Sequence, residues 1–245
     1  MKLVESILTK NPCYTAGRKI TVKGLMLHSV GCPQPSAQVF IKNWNQSTYD
    51  RACVHGFIDA NDGTVYQTLP WNHRGWHGGG SSNNTHIGVE MCEPACIKYT
   101  SGANFTCSDP AVAKAAVKRT YEAAVELFAM LCEKFSLDPM KDGVILSHKE
   151  GHARGIASNH GDPEHLWTQL GMPYTMDTFR KAVKAKLEKP ATDNTPSAWA
   201  KDAVDWVVGN GLMVGGTGGD LMLRSPITRE QFCVVLKRYH ETFGK

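Results

Sequence analysis

Hydrophobic and polar positions fall into two regimes along this chain. Over residues 19–189, short apolar runs alternate with longer helical stripes, which predicts a mixed α/β unit. Residues 20–28 are rich in Val, Ile and Leu and predict a strand; 87–91 and 144–146 predict two more. Residues 53–60 and 63–69 flank Asn61-Asp62-Gly63, and that Asp-Gly pair predicts a hairpin. Residues 36–45 predict a helix, with Ser36 as N-cap and Val39, Phe40, Ile41 and Trp44 as its apolar positions. The longest helix is expected over 109–135. Ser108-Asp109-Pro110 supplies a cap and a first-turn proline, and Val117, Tyr121, Ala124, Phe128, Leu131 and Phe135 repeat at helical spacing as a core face. An amphipathic helix over 178–187 closes the unit.

The second regime is short. Residues 190–196 read as a linker, with two prolines and no apolar periodicity. Residues 197–245 read helix, glycine-rich loop, helix. Trp199, Ala203, Trp206 and Val207 form one apolar face, and Gly209-Asn210-Gly211 ends the first helix. Thr228-Arg229-Glu230-Gln231 is a capping box opening the second, where Phe232, Val235, Leu236 and Tyr239 are expected to face inward. The expected architecture is therefore an α/β unit over 1–189, a linker, and a small α-helical unit over 197–245. The latter is too small to be secure alone and is expected to pair with a copy or to dock.

Composition narrows the function. No apolar run approaches the roughly 20 residues that span a bilayer, which argues against an integral membrane role. The first eight residues lack the apolar core of a secretory signal, so the expectation is a product made in the cytoplasm. A formal net charge of +4, with no Lys/Arg block, suits an anionic polymer such as a cell wall better than nucleic acid. Eight irregularly spaced cysteines without a C-x-x-C pair read as reduced, buried thiols.

Candidate chemistry sits where apolar runs end. His28 closes Leu25-Met26-Leu27-His28, His148 closes Val144-Ile145-Leu146-Ser147-His148, and Asp162 lies in the loop Asn159-His160-Gly161-Asp162. Two imidazoles and a carboxylate, with a fourth position open to water, are a donor set for catalytic zinc. A lone histidine is more often a surface or core residue than a ligand. Glu90, at the end of Ile87-Gly88-Val89-Glu90, is either a general base or an ordinary charge at a strand end.

Taken in order, these pieces resemble the zinc-dependent N-acetylmuramoyl-L-alanine amidases of the amidase-2 family, which share a fold with peptidoglycan recognition proteins. The resemblance runs over residues 10–187. It rests on Leu27-His28-Ser29, Val54-His55-Gly56-Phe57, Arg74-Gly75-Trp76-His77-Gly78, Asn84-Thr85-His86-Ile87-Gly88-Val89-Glu90, Leu146-Ser147-His148 and Ser158-Asn159-His160-Gly161-Asp162-Pro163. It implies a mixed central β-sheet flanked by helices, zinc held by His28, His148 and Asp162, and Glu90 as general base. His160 stands where related enzymes often carry an oxyanion-steadying lysine. Trp76, His77 and Asn84 are implied at the substrate groove. The implied reaction is hydrolysis of the amide joining the lactyl group of muramic acid to L-alanine in bacterial peptidoglycan.

Residues 93–108 look like an insertion, and the 149–159 loop is longer than the shortest family versions. The tail motifs Trp199-Ala200-Lys201-Asp202-Ala203-Val204-Asp205-Trp206 and Thr228-Arg229-Glu230-Gln231-Phe232 resemble one S-layer homology repeat. That resemblance implies binding to a secondary cell-wall polymer, with self-association as a way to supply missing copies; a small stabilising cap is the alternative. The whole reads as a phage or prophage endolysin that acts on the wall after release, or a host autolysin. The rivals are a recognition protein that binds peptidoglycan without cleaving it and a zinc peptidase acting within the stem peptide.

Overall fold

The computed structural model describes residues 1–188, 194–216 and 219–244, so most of the expected linker and part of the glycine-rich loop lie outside the described residues. The chain divides into two compact units, Met1–Leu187 and Glu188–Lys245.

In chain order the first unit contains β1 (Leu3–Glu5), α1 (Pro12–Thr15), β2 (Gly24–Ser29), α2 (Ala37–Trp44), β3 (Gly56–Ile58), β4 (Val65–Gln67), β5 (His86–Met91), β6 (Ile97–Ser101), β7 (Asn104–Cys107), α3 (Pro110–Phe135), β8 (Ile145–Ser147), α4 (His148–Ala153), α5 (Glu164–Gln169) and α6 (Met176–Leu187). Six strands form one mixed sheet in the order β1-β4-β3-β5-β2-β8. β3, β5, β2 and β8 are mutually parallel, while β4 pairs antiparallel with β3. β6 and β7 form a separate two-stranded hairpin.

The central strands β2 and β5 are almost wholly buried, as strands covered on both faces must be. Period-two alternation sorts their side chains. Leu25, Leu27, Ile87 and Val89 join the main core beneath α3, packed against Val117, Tyr121, Ala124, Phe128 and Leu131. The intervening Met26, His28, Gly88 and Glu90 take the other face. α3 starts where the proline places it, with Asp109 accepting the Ala111 and Val112 N–H groups. A smaller cluster packs α2 on β3, with Phe40 stacked on Phe57 at 5.0 Å.

The expected strand over 20–28 begins four residues late. Its first half is joined to the rest by backbone bonds from Ile20 to the Asn72 carbonyl and from Lys23 to the Thr85 carbonyl, because no neighbouring strand extends that far. Ser36 caps α2 by backbone position but makes no side-chain cap bond. All eight cysteines are free thiols; Cys53, Cys92 and Cys132 are buried, whereas Cys233 is exposed and the rest are half-buried.

His55 gives the unit a pH signature. Its Nε2 donates to the His73 carbonyl at 2.8 Å and its Nδ1 accepts the Gly88 N–H at 3.0 Å, so the buried ring is neutral. Burial pushes its pKa down to about 4, and the nearby His73 imidazole adds to the penalty on a charge. A folded pKa below the unfolded value means the stability is present above about 6.5 and is lost as pH falls toward 4. Between pH 7 and 5 this residue should cost about 2 kcal/mol. Denaturant unfolding at both pH values checks it: His55→Asn should narrow the gap by that amount.

The second unit has a 3-10 turn at Ala198–Ala200, α7 (Lys201–Gly209) and α8 (Arg229–Phe243). The Thr228/Gln231 capping box forms in both directions. Trp206 stacks on Phe243 at 5.5 Å. The inward orientation expected for α8 is corrected for three of its four residues: Val235 is half-buried, but Phe232, Leu236 and Tyr239 are each more than half exposed, and Trp199 is 91% exposed. Two short helices cannot cover both apolar faces, and among this unit's described residues the buried apolar side chain is Leu212.

Candidate active site

Three parallel strands end side by side, and each delivers one functional group there. β2 ends at His28-Ser29, Glu90 lies directly opposite His28 in the β2–β5 register, and β8 runs into His148, the first residue of α4. Loops open outward at the carboxyl ends of parallel strands, so groups placed there can meet a ligand. His148 is fixed by Ser147-His148-Lys149-Glu150, in which the Ser147 hydroxyl accepts the Glu150 N–H and the Glu150 carboxylate accepts the Ser147 N–H. The Arg180 guanidinium pairs with Glu150 and also donates to the Ile145 carbonyl at 3.1 Å, which pins α4 to β8.

The buried carboxylate of Asp162 closes the cluster from its loop, accepting the Ser29 N–H at 3.3 Å. His28 Nδ1 lies 3.0 Å from His148 Nδ1 and 3.3 Å from Asp162 Oδ2; His148 Nδ1 lies 3.6 Å from Asp162 Oδ1. Ligand bonds of about 2.0–2.2 Å at tetrahedral angles put donor atoms about 3.3–3.6 Å apart, so these three fit one small divalent ion. They form the one His/Cys/Asp/Glu cluster of metal-binding geometry among the described residues.

The outer nitrogens set the tautomers. His77 Nε2 faces the His86 carbonyl at 3.0 Å and must donate to it, which leaves His77 Nδ1 an acceptor. His28 Nε2, 3.0 Å away, therefore donates to His77, and the Nδ1 lone pair of His28 faces the cluster. His148 repeats the arrangement, with Nε2 at 3.0 Å from Ser158 Oγ. Two imidazole lone pairs held 3.0 Å apart need a cation or proton between them. The His77 ring crosses β5 at Gly88, where a Cβ would lie 2.2 Å from it, so Gly88 has to be glycine. Replacing His77 with Gln should weaken metal binding about 10- to 100-fold by chelator competition, because it releases the His28 ring.

Charges agree with that design. Burial depresses His148 to about 4, aided by the nearby His28, so this ring is neutral, as a ligand must be. Burial alone would lower His28, but Asp162 and Glu90 together hold it above its ordinary value. Burial pushes Glu90 up to about 8, partly offset by His28. Its Oε2 is buried without a hydrogen-bond partner, a costly state for a carboxyl oxygen unless a ligand completes it.

The cluster opens into a groove of about 730 Å³. Trp76, 45% exposed, stands on one wall, and Glu90 and Asp162 line the floor. The exposed His160 stacks on His148 with ring centroids 4.5 Å apart, its Nδ1 3.8 Å from Asp162 Oδ1. His77 lies in the lining, but both its nitrogens are committed to His28 and His86. Asn84, expected at the groove, is corrected. The 3-10 turn Ser81–Asn84 sends it to solvent, where Oδ1 accepts from Arg74 Nε at 2.7 Å, while Asn83 turns inward and accepts the His77 and Gly78 N–H groups. Adjacent asparagines gave no sign of which one points in. Ser158 was also missed, having no spacing signal, whereas the capping box around His148 was readable.

A His-His-Asp cluster of metal-binding geometry at strand ends, with the buried Oε2 of Glu90 beside it in an open groove, is an arrangement suited to a hydrolase. Residues 17–165 match the family model described as N-acetylmuramoyl-L-alanine amidase, and the chain belongs to that family. It is 37% identical over 79 residues to the N-acetylmuramoyl-L-alanine amidase XlyA of Bacillus subtilis strain 168, a stretch covering 31% of this chain and 25% of that protein. The chain thus matches about a quarter of the length of that relative. The fold is similar to Staphylococcus aureus hydrolase AmiA in complex with its ligand, with a TM-score of 0.58 at 19% identity over 76% of this chain and 83% of that one. It is also similar to the PlyG catalytic domain, at 0.51 and 15% identity over 80% of this chain and 100% of that one.

Proposed function

We propose that this chain is a zinc-dependent N-acetylmuramoyl-L-alanine amidase of endolysin type, cutting between the muramic acid lactyl group and the L-alanine of the stem peptide. The observation that carries the reading is the convergence of His28, His148 and Asp162, lone pairs inward, beside the unpartnered Glu90 oxygen. When bound, zinc supplies a Lewis acid for the scissile carbonyl and lowers the pKa of water at the open position.

The chain's own groups do the rest. Glu90 Oε2 accepts the proton of the attacking water and returns it to the leaving amine. His160, at the rim over His148, donates to the negative charge building on the carbonyl oxygen. Trp76 offers an apolar face to the substrate, and His77 keeps the His28 ring in register. The small C-terminal unit is assigned to a secondary cell-wall polymer, with self-association through its exposed apolar faces.

The direct test is release of new L-alanine amino termini from purified peptidoglycan. Release should stop with chelator and return with zinc. Binding without release would instead identify a recognition protein. Removing residues 197–245 should lower wall binding several-fold more than hydrolysis of soluble fragments; equal loss of both would make that unit a stabilising cap.

A further inference from the structure

The insertion over residues 93–108 folds as the β6–β7 hairpin, and it brings Tyr99, Gly102 and Ala103 to the groove wall. A two-stranded hairpin is marginal alone, and this one is held by directed polar contacts rather than by apolar packing only. The Tyr99 hydroxyl donates to Glu93 Oε2 at 2.7 Å and accepts from His165 Nε2 at 2.7 Å. Glu93 is fully buried, and its Oε1 accepts the Gly31 N–H at 3.0 Å. Gln169 donates to the Ala103 carbonyl at 2.8 Å and accepts the Phe105 N–H at 3.0 Å.

These contacts tie the hairpin to both sides of the metal-binding cluster. Gly31 follows the His28 strand end, and His165 sits three residues beyond Asp162. A buried carboxylate is tolerated only when its bonds are met, so the network fixes one placement and penalises others. The tip offers small residues, Gly102 and Ala103, where an extended peptide can approach the backbone closely.

We propose that this hairpin is the wall that selects the stem peptide beyond the scissile bond, and that Tyr99 is the positioning residue that fixes it beside the Asp162 loop. The inference rests on the amidase reading. Groups next to the scissile bond lie over the cluster, so the hairpin acts on the longer peptide and not on the chemistry.

The test compares an N-acetylmuramoyl tetrapeptide with an N-acetylmuramoyl dipeptide on the zinc-loaded full chain. Tyr99→Phe should raise KM for the tetrapeptide about tenfold with kcat within about twofold, and leave the dipeptide within about twofold. Ala103→Glu, at the exposed tip, should reproduce the split without touching the network, which keeps the proposal testable if Tyr99→Phe folds poorly. Loss of kcat on both substrates, or no change in either variant, would overturn it. If the parent cleaves neither fragment, the amidase reading fails. The hairpin is then judged by binding of the two fragments measured calorimetrically, where the same tenfold, tetrapeptide-selective loss supports it and equal binding overturns it.

Discussion

His28→Ala is expected to lose its metal and its activity together. His28 contributes the nitrogen that faces both other donors, at 3.0 Å and 3.3 Å, and Ala leaves one imidazole and one carboxylate. Two protein donors fall short of the three that a catalytic zinc site uses beside its open position. The variant also leaves Asp162 buried beside His148 with its main partner gone, since His28 is what chiefly offsets the burial of that carboxylate and holds its pKa low. Metal content by elemental analysis should fall to the background, and wall hydrolysis by at least about a thousandfold, since the Lewis acid and the acidified water go together. A variant that keeps stoichiometric zinc would show that this residue is not a ligand.

Glu90→Gln is expected to separate the two properties. Glu90 is not among the three clustered donors, so metal content should match the parent. Its Oε2 is a buried carboxyl oxygen beside the cluster without a hydrogen-bond partner, and an amide cannot take a proton. Loss of a general base is worth about 10²- to 10⁴-fold, and the fall should appear in kcat. Gln has nearly the same shape and removes a carboxylate that burial already disfavours, so the fold should hold or gain slightly in thermal stability. Parental turnover in this variant would remove Glu90 from the mechanism.

Much of this site was legible because strand ends are legible. The apolar runs before His28 and His148 marked where the sheet would release the chain, and the one before Glu90 did the same. The direct pairing of His28 with Glu90 was not legible, because it depends on β5 lying beside β2, a strand order set by long-range contacts that no local pattern carries. β1, β6 and β7 escaped for a simpler reason: they are short, with exposed polar positions, and carry no sustained alternation. The tail shows the limit of helical periodicity. It identified apolar faces on α7 and α8, but a face does not reveal whether anything covers it, and Phe232, Leu236 and Tyr239 stay exposed. Within the site, residue type alone could not assign His77, whose role emerges only from the hydrogen bond that commits each nitrogen.

Mass spectrometry of purified peptidoglycan digested by the zinc-loaded protein tests the central claim most directly. The expected products are glycan strands whose muramic acid carries a free lactyl carboxylate, together with intact stem peptides beginning at L-alanine. Muramic acid that still bears L-alanine, with cuts further along the peptide, would contradict it.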